Sequence, residues 1–281
     1  MIWKCRDISF DLSNAPLVMG IVNITPDSFS DGGLYQSTSA AVAYALGLAE
    51  AGADILDLGG ESTRPDAEPV SESEELRRVL PVVEGIRKYS RIPLSIDTTK
   101  ARVAEMCLQA GARIVNDISA MRFDERMPEV VARYHAGLVL MHIRGTPQTM
   151  QQNPTYDDVV AEVRRHLEER LQAAVSAGVA REAIAIDPGI GFGKTLDHTL
   201  AQLRDLSSLS ASGRPVLLGI SRKGFLGQVT GRDRAHRLAG TLAVNCFAIA
   251  NGSAQIVRVH DVAEHVDAVR LWAAIRGTTS L

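Results

Sequence analysis

The sequence predicts an α/β chain of the closed (β/α)8 class, a TIM barrel, with a short N-terminal extension and long loops after its first two strands. Three observations predict it. Short apolar runs of strand length alternate about eight times with stretches of helical periodicity. The runs are continuously apolar, the pattern of strands buried on both faces. Each run also ends in a polar or charged residue, as strand ends do when they share one functional rim. An open doubly wound sheet shares the first two features, and the eight near-equal units favour closure.

The segment before Leu17 precedes the first unit and is expected to form a small hairpin or plug at the bottom of the barrel. Strand-like runs follow at 17–22, 54–58, 92–96, 113–115, 138–141, 183–186, 216–219 and 255–257. Helical periodicity covers 39–51, 71–89, 100–110, 156–177, 234–250 and 262–275. Ala-Gly pairs at 51–52, 110–111, 136–137 and 177–178 are read as helix ends, where glycine accepts the left-handed conformation. No Pro/Ser-rich linker or composition shift interrupts the series, which predicts a single domain over 1–281.

Composition narrows the function. The chain has 281 residues, 46% hydrophobic and 22% charged, with a net charge of −3. That length can bury a sizeable core. The even charge excludes a disordered acidic chain and argues against a nucleic-acid partner. Cys5, Cys107 and Cys246 share no CxxC spacing, which argues against a disulfide scaffold or a cysteine-based zinc site and for a cytoplasmic protein. No secretory signal is legible at the N-terminus. No stretch reaches the roughly 20 apolar residues of a membrane span, so no membrane partner is expected.

The strand ends carry the unusual residues: Asn23, Asp57, Asp97, Asn116-Asp117, His142 with Arg144, Asp187, Ser221-Arg222-Lys223, and Arg258 with His260. A single Asp at such a place is ordinarily a helix N-cap. Asp57 and Asp117 are read as largely structural, and Asp261 as a plain N-cap. His135, His166, His198, His236 and His265 are placed on helices and read as inert surface residues; His142 is left open. The loops NITPDSFSDGGLYQS and GGESTRPDAEPVSESEE exceed the roughly 2–6 residues usual between a strand and its helix, which marks candidate lids. Asp187 to Thr195, DPGIGFGKT, is neither a Walker A loop, since Pro188 stands where glycine is required, nor a dinucleotide fingerprint.

NITPDSFSDGG, GGESTRP, SIDTTK, VNDIS, LMHIRG, DPGIGFGK, GISRKGF and RVHD together resemble the dihydropteroate synthase family, in order and along nearly the whole chain. The chain departs from the family pattern at Gly224, where many members carry Ser, and at Thr195, where an Asn or similar residue is common. The resemblance implies a (β/α)8 barrel, a homodimer and Mg²⁺. It implies condensation of 6-hydroxymethyl-7,8-dihydropterin pyrophosphate with p-aminobenzoate.

The resemblance assigns Asp97, Asn116 and Asp187 to the pterin, whose edge of N–H donors and acceptors suits carboxylates and an amide. Lys223 is expected on an acceptor of the same ring, with Ile21, Ile118 and Met141 as apolar walls; core packing is the plainer reading of these three. Asn23, Thr63, Arg64, Arg258 and His260 are assigned to pyrophosphate, with Asn23 also a Mg²⁺ ligand. Phe29, Thr63, Pro65, Phe192, Ser221 and Lys223 are expected around p-aminobenzoate. Asp97, Lys223, Arg258 and His260 are the expected catalytic set, in a substitution where pyrophosphate leaves first. A pterin-binding methyltransferase serving a corrinoid protein would share the pterin acids but needs neither Lys223 nor the Arg258/His260 pair. A non-catalytic pterin-binding paralogue would not need the full set.

Overall fold

The computed structural model of the chain describes residues 1–25, 33–65 and 67–278. Phe29 and most of the first long loop lie outside the described residues.

Two short strands, β1 (Ile2–Cys5) and β2 (Ile8–Asp11), pair antiparallel with Trp3 opposite Phe10. Eight parallel strands follow: β3 (Leu17–Asn23), β4 (Ile55–Gly59), β5 (Leu94–Asp97), β6 (Ile114–Asp117), β7 (Gly137–Met141), β8 (Ile184–Asp187), β9 (Leu217–Leu218) and β10 (Ile256–Val259). Their order is β8-β7-β6-β5-β4-β3-β10-β9. A parallel bridge between Ile186 and Val216 joins β8 to the segment entering β9 and closes the ring.

Between the strands run α1 (Gly33–Glu50), α2 (Glu72–Tyr89), α3 (Ala101–Gln109), α4 (Met127–Arg133), α5 (Val159–Ser176), α6 (Leu196–Arg204) and α7 (Gly224–Thr230). After α7 come α8 (Leu238–Ala250) and, beyond β10, α9 (Val262–Ile275). None of these helices is long and apolar enough to cross a membrane. The stretch expected as one helix over 234–250 divides into a 3-10 turn, Arg234–His236, and α8. The 156–177 stretch becomes helical at Val159, where Asp158 caps the N–H groups of Val160 and Ala161 at 3.0 Å each.

Three of the four Ala-Gly helix ends stand, with Gly52, Gly111 and Gly178 at positive φ. The fourth does not. After α4 it is His135 that turns left-handed, at φ 49°, and Gly137 opens β7. Glycine is required there for a packing reason: a Cβ on Gly137 would run into the Cys5 sulfur.

The N-terminal hairpin seals the bottom of the barrel. Trp3 and Cys5 pack against Met19, Ile55, Ile114, Val139, Ala185, Leu217 and Ile256, which form one inward-facing layer. The Trp3 indole donates to the Ala183 carbonyl at 2.8 Å. Because side chains alternate along a strand, the residues two further on form the next inward layer, at the opposite end. That layer holds Ile21, Asp57, Asn116, Met141, Asp187 and Arg258. The intervening residues, among them Val22, Leu58, Ile96, Leu140 and Val259, face the helices and join the large outer core.

Candidate active site

The upper layer forms the floor of a cavity of about 540 Å³ at the C-terminal ends of the strands. Asn23, Thr63, Arg64, Pro65, Ile21, Asp97, Asn116, Ile118, Met141, Asp187, Phe192, Ser221, Lys223, Arg258 and His260 all line it. Of the residues expected at the site only Phe29 lies outside the description.

The floor is a charge network. Arg258 Nε donates to Asp57 Oδ2 at 2.6 Å and its Nη2 donates to Asp97 Oδ2 at 2.7 Å. Asn116 Nδ2 donates to the same Asp57 oxygen at 3.0 Å. Asp57, wholly buried, therefore holds two pocket residues in place from below. Burial pushes Asp97 up to about 7, against the pull of Arg258 and with help from Asp57. Burial opposes the charge on Arg258, but Asp57 and Asp97 more than offset it, and its pKa is raised.

Asn116 and Asp117 are neighbours with opposite fates. Asn116 points into the barrel; Asp117 points away and accepts the N–H groups of Ser119 at 2.7 Å and Met121 at 2.8 Å. It shapes the turn after β6, in keeping with the structural reading of that residue. Asp261 departs from its expected role: its carboxylate makes no cap bond and instead pairs with both nitrogens of one edge of Arg222.

The loop after β8 forms one wall. Gly189 and Gly193 have positive φ, and a side chain at either would collide with the backbone of His142 or Arg144. Lys194, 4% exposed, fastens this loop: its Nζ donates to the carbonyls of Gly189 at 2.9 Å and Phe192 at 3.0 Å and meets His142 Nδ1 at 2.9 Å. Burial, then the neighbouring Lys194, drives His142 down to about 2, so its ring is neutral, and burial likewise holds Lys194 well below the usual lysine range. The fastened loop presents the Ile190 carbonyl to Lys223 Nζ and the Phe192 ring beneath the same nitrogen, 4.5 Å from its centroid. Burial lowers Lys223 to about 8, helped by Arg258 and opposed by Asp187 and Asp97. Asp187 is itself raised by burial, opposed by Lys223 and the Gly189 N–H. Ile118, Met141, Ile143 and Met150 make a small apolar cluster with Phe192 packed on it.

At the mouth the charge turns basic. Arg64, Arg222, Arg234 and His260 line the cavity there. Ser221 Oγ accepts the His260 backbone N–H at 3.1 Å and lies 2.9 Å from its Nδ1. A neutral His260 that accepts from Ser221 at Nδ1 carries its hydrogen on Nε2. Burial lowers His260 to about 4, reinforced by Arg258, Arg234 and Arg222. Ser221, expected on the p-aminobenzoate carboxylate, lines the cavity with its hydroxyl beside His260.

Sequence reasoning did not pick out Lys194, Glu61, Gln151 or Arg234, which also line the cavity. Lys194 sat in plain view in DPGIGFGKT; the signal was its place at the end of a glycine-rich turn, which only burial makes meaningful. Of the histidines set aside, His265 is not a surface residue: it is buried, with Nε2 3.0 Å from Asn245 Nδ2. His135 lies in the turn after α4 rather than on a helix.

The sequence profile of the family described as pterin binding enzyme matches residues 19–260. A dihydropteroate synthase of Synechocystis sp. is 48% identical over 254 residues, covering 90% of this chain and 88% of the relative. The solved dihydropteroate synthase of Xanthomonas albilineans with 4-aminobenzoic acid superposes with a TM-score of 0.91 at 46% identity, over 98% of both chains. The Xanthomonas enzyme in complex with 7,8-dihydropteroate gives a TM-score of 0.88 at 44% identity, over 98% of this chain and 99% of that one.

Proposed function

The chain belongs to the pterin-binding enzyme family, and from the cavity on its rim we infer how its residues divide the work of that family's chemistry. It is an enzyme of folate synthesis: it condenses 6-hydroxymethyl-7,8-dihydropterin pyrophosphate with p-aminobenzoate to 7,8-dihydropteroate and pyrophosphate. The observation that carries the residue assignment is the convergence of Asp97, Asn116, Asp187 and Lys223 on one cavity whose mouth is lined by Arg64, Arg222, Arg234 and His260.

Asp97, Asn116 and Asp187 take the donor edge of the pterin, Lys223 an acceptor, and Ile21, Ile118 and Met141 its faces. Thr63, Arg64, Arg258 and His260 take the pyrophosphate. Arg258 divides itself between this duty and holding Asp97 and Asp57. p-Aminobenzoate lies between Thr63, Pro65 and Phe192, near Lys223, with Ser221 at its carboxylate and also beside His260.

The substitution is dissociative. The bond from the methylene carbon to the pyrophosphate oxygen breaks, and the oxygen keeps the electron pair. The amine lone pair of p-aminobenzoate then forms the new C–N bond, and the amine loses a proton. The cation formed in between is stabilised by electrostatic complementarity from Asp97, whose carboxylate form that cation favours.

Among the described residues no group of three His, Cys, Asp or Glu side chains is placed to hold a metal. Asn23 lines the cavity, and its side-chain oxygen is a hard donor that would hold Mg²⁺ together with substrate phosphates and water. Bound there, the ion would neutralise charge on the leaving group. An apolar face on α8, with Phe247 56% exposed beside exposed Ala243 and Cys246, supports a homodimer. The three free cysteines support the cytoplasm as its compartment.

A pyrophosphate-release assay with both substrates and Mg²⁺ tests the reading. Sustained, multiple-turnover release is expected only when p-aminobenzoate is present to consume the cation; no release with both substrates overturns the reading.

A further inference from the structure

We propose that Glu61 and Lys100 are positioning residues that set the p-aminobenzoate side of the pocket by fastening the second long loop to the strand that carries Asp97. The proposal rests on the reading above that Thr63, Arg64 and Pro65, all on that loop, serve the leaving group and the second substrate.

Glu61 stands where the loop leaves β4, directly after Gly59-Gly60, and it lines the cavity. One carboxylate oxygen, Oε1, accepts the backbone N–H of Val70 at 2.8 Å, so a single side chain ties the two ends of the loop together. The other, Oε2, accepts from Lys100 Nζ at 2.7 Å. Lys100 comes three residues after Asp97, at the start of α3. Its Nζ also donates to Glu75 Oε2 at 2.6 Å, on the inner face of α2.

Glu75 is wholly buried. A buried carboxylate is tolerated only when paired, so Glu75 and Lys100 hold each other firmly. Fold support would need no more than that pair. Glu61 is the added third member, and it is the one that belongs to the loop. The loop's entry is closely seated too. Arg78 Nη1 donates to the Gly60 carbonyl at 3.0 Å, and a Cβ on Gly60 would come within 2.5 Å of Val79 Cγ2. Residues 63–65 therefore hang from a base fixed on one side to α2 and, through Lys100, to the end of β5. Neither Glu61 nor Lys100 is needed to touch the reacting atoms. Their work is to hold Thr63 and Pro65 at the right distance from the pterin floor.

Two variants test this without leaving a bare buried carboxylate. Glu61→Gln keeps an oxygen for the Val70 N–H and loses the ion pair. Lys100→Met combined with Glu75→Leu removes the buried carboxylate and its half-buried cation at once. Each is expected to raise KM for p-aminobenzoate about tenfold while calorimetric affinity for a pterin lacking phosphate stays within about twofold, and Lys100→Arg, which can reach both carboxylates, is expected to keep KM within about threefold of the parent. A p-aminobenzoate KM within about twofold of the parent in both variants, or an equal loss for the pterin, overturns the proposal. Thr63→Ala separates the proposal from its premise. If Thr63→Ala raises that KM and Glu61→Gln does not, the positioning role alone fails. If Thr63→Ala changes nothing, the reading of the loop fails and takes the proposal with it.

Discussion

Arg258, on the last strand of the barrel, donates to Asp97, on the third, across 2.7 Å of the pocket floor. The two charges most central to the site are therefore spent partly on each other before any substrate arrives. That pairing changes what substitutions should do.

Asp97→Asn is expected to lower kcat about a hundredfold or more while circular dichroism and melting stay close to the parent, since Arg258 retains Asp57. Lys223→Ala should likewise lose most activity with the fold intact. Near-parental turnover in both would refute their placement in the pterin pocket.

The pyrophosphate residues should separate. His260→Ala is expected to weaken pyrophosphate roughly ten- to a hundredfold, the value of a hydrogen bond to a charged group, and to spare a pterin without phosphate. Arg258→Ala should weaken both ligands, because it leaves Asp57 and Asp97 as buried carboxylates without their cation. Calorimetry with the two ligands measures the difference; an Arg258→Ala effect confined to pyrophosphate would contradict the pairing.

Activity should fall on the alkaline side of neutrality. Burial, then Arg258, lowers Lys223 to about 8, so its ammonium is intact at lower pH and is lost as pH rises through that value. The limb should appear in kcat/KM, which reports the free enzyme. Lys223→Arg, a group that does not deprotonate in this range, should flatten it.

Acid should destabilise the fold through His142. Its folded pKa of about 2 lies below the ordinary 6.5, so its contribution is complete above 6.5 and is lost as pH falls from there toward 2. In that window the unfolded chain binds the extra proton, and one such group contributes a slope of about 1.4 kcal/mol per pH unit. His142→Asn, whose side-chain oxygen can accept from Lys194, should reduce the slope of stability against pH in denaturant titrations. Lys194→Met should cost about 2–4 kcal/mol at neutral pH, since the His142 nitrogen and the Gly189 and Phe192 carbonyls lose their donor.

The barrel was legible in the chain because burial on both faces forces each strand to be continuously apolar, and because the residues at or just beyond each strand's rim end are polar. The eight runs stand within a few residues of the observed strands, and the 262–275 helix matches α9. α4 and α7, of 7 residues each, escaped notice because about two turns carry too little periodicity to stand out, and α6, as long as α3, escaped because the residues it buries, Thr199 and Gln202, are polar. The motif residues on strand ends were legible for the same reason as the strands: alternation sends Asn116 inward and Asp117 outward from adjacent positions.

Partnerships between distant residues were not legible. Arg258 finds Asp57 and Asp97 at separations of 201 and 161 residues, Lys194 finds His142 at 52, and Lys100 finds Glu61 at 39. Asp261 reads as a helix cap by position, yet its carboxylate goes to Arg222 because the closing of the ring brings that guanidinium beside it. Local periodicity decides which face of an element a side chain occupies. Which charge it meets there depends on how eight strands close into one ring, and in a site removed from water that pairing sets whether each group is charged, neutral or free to bind.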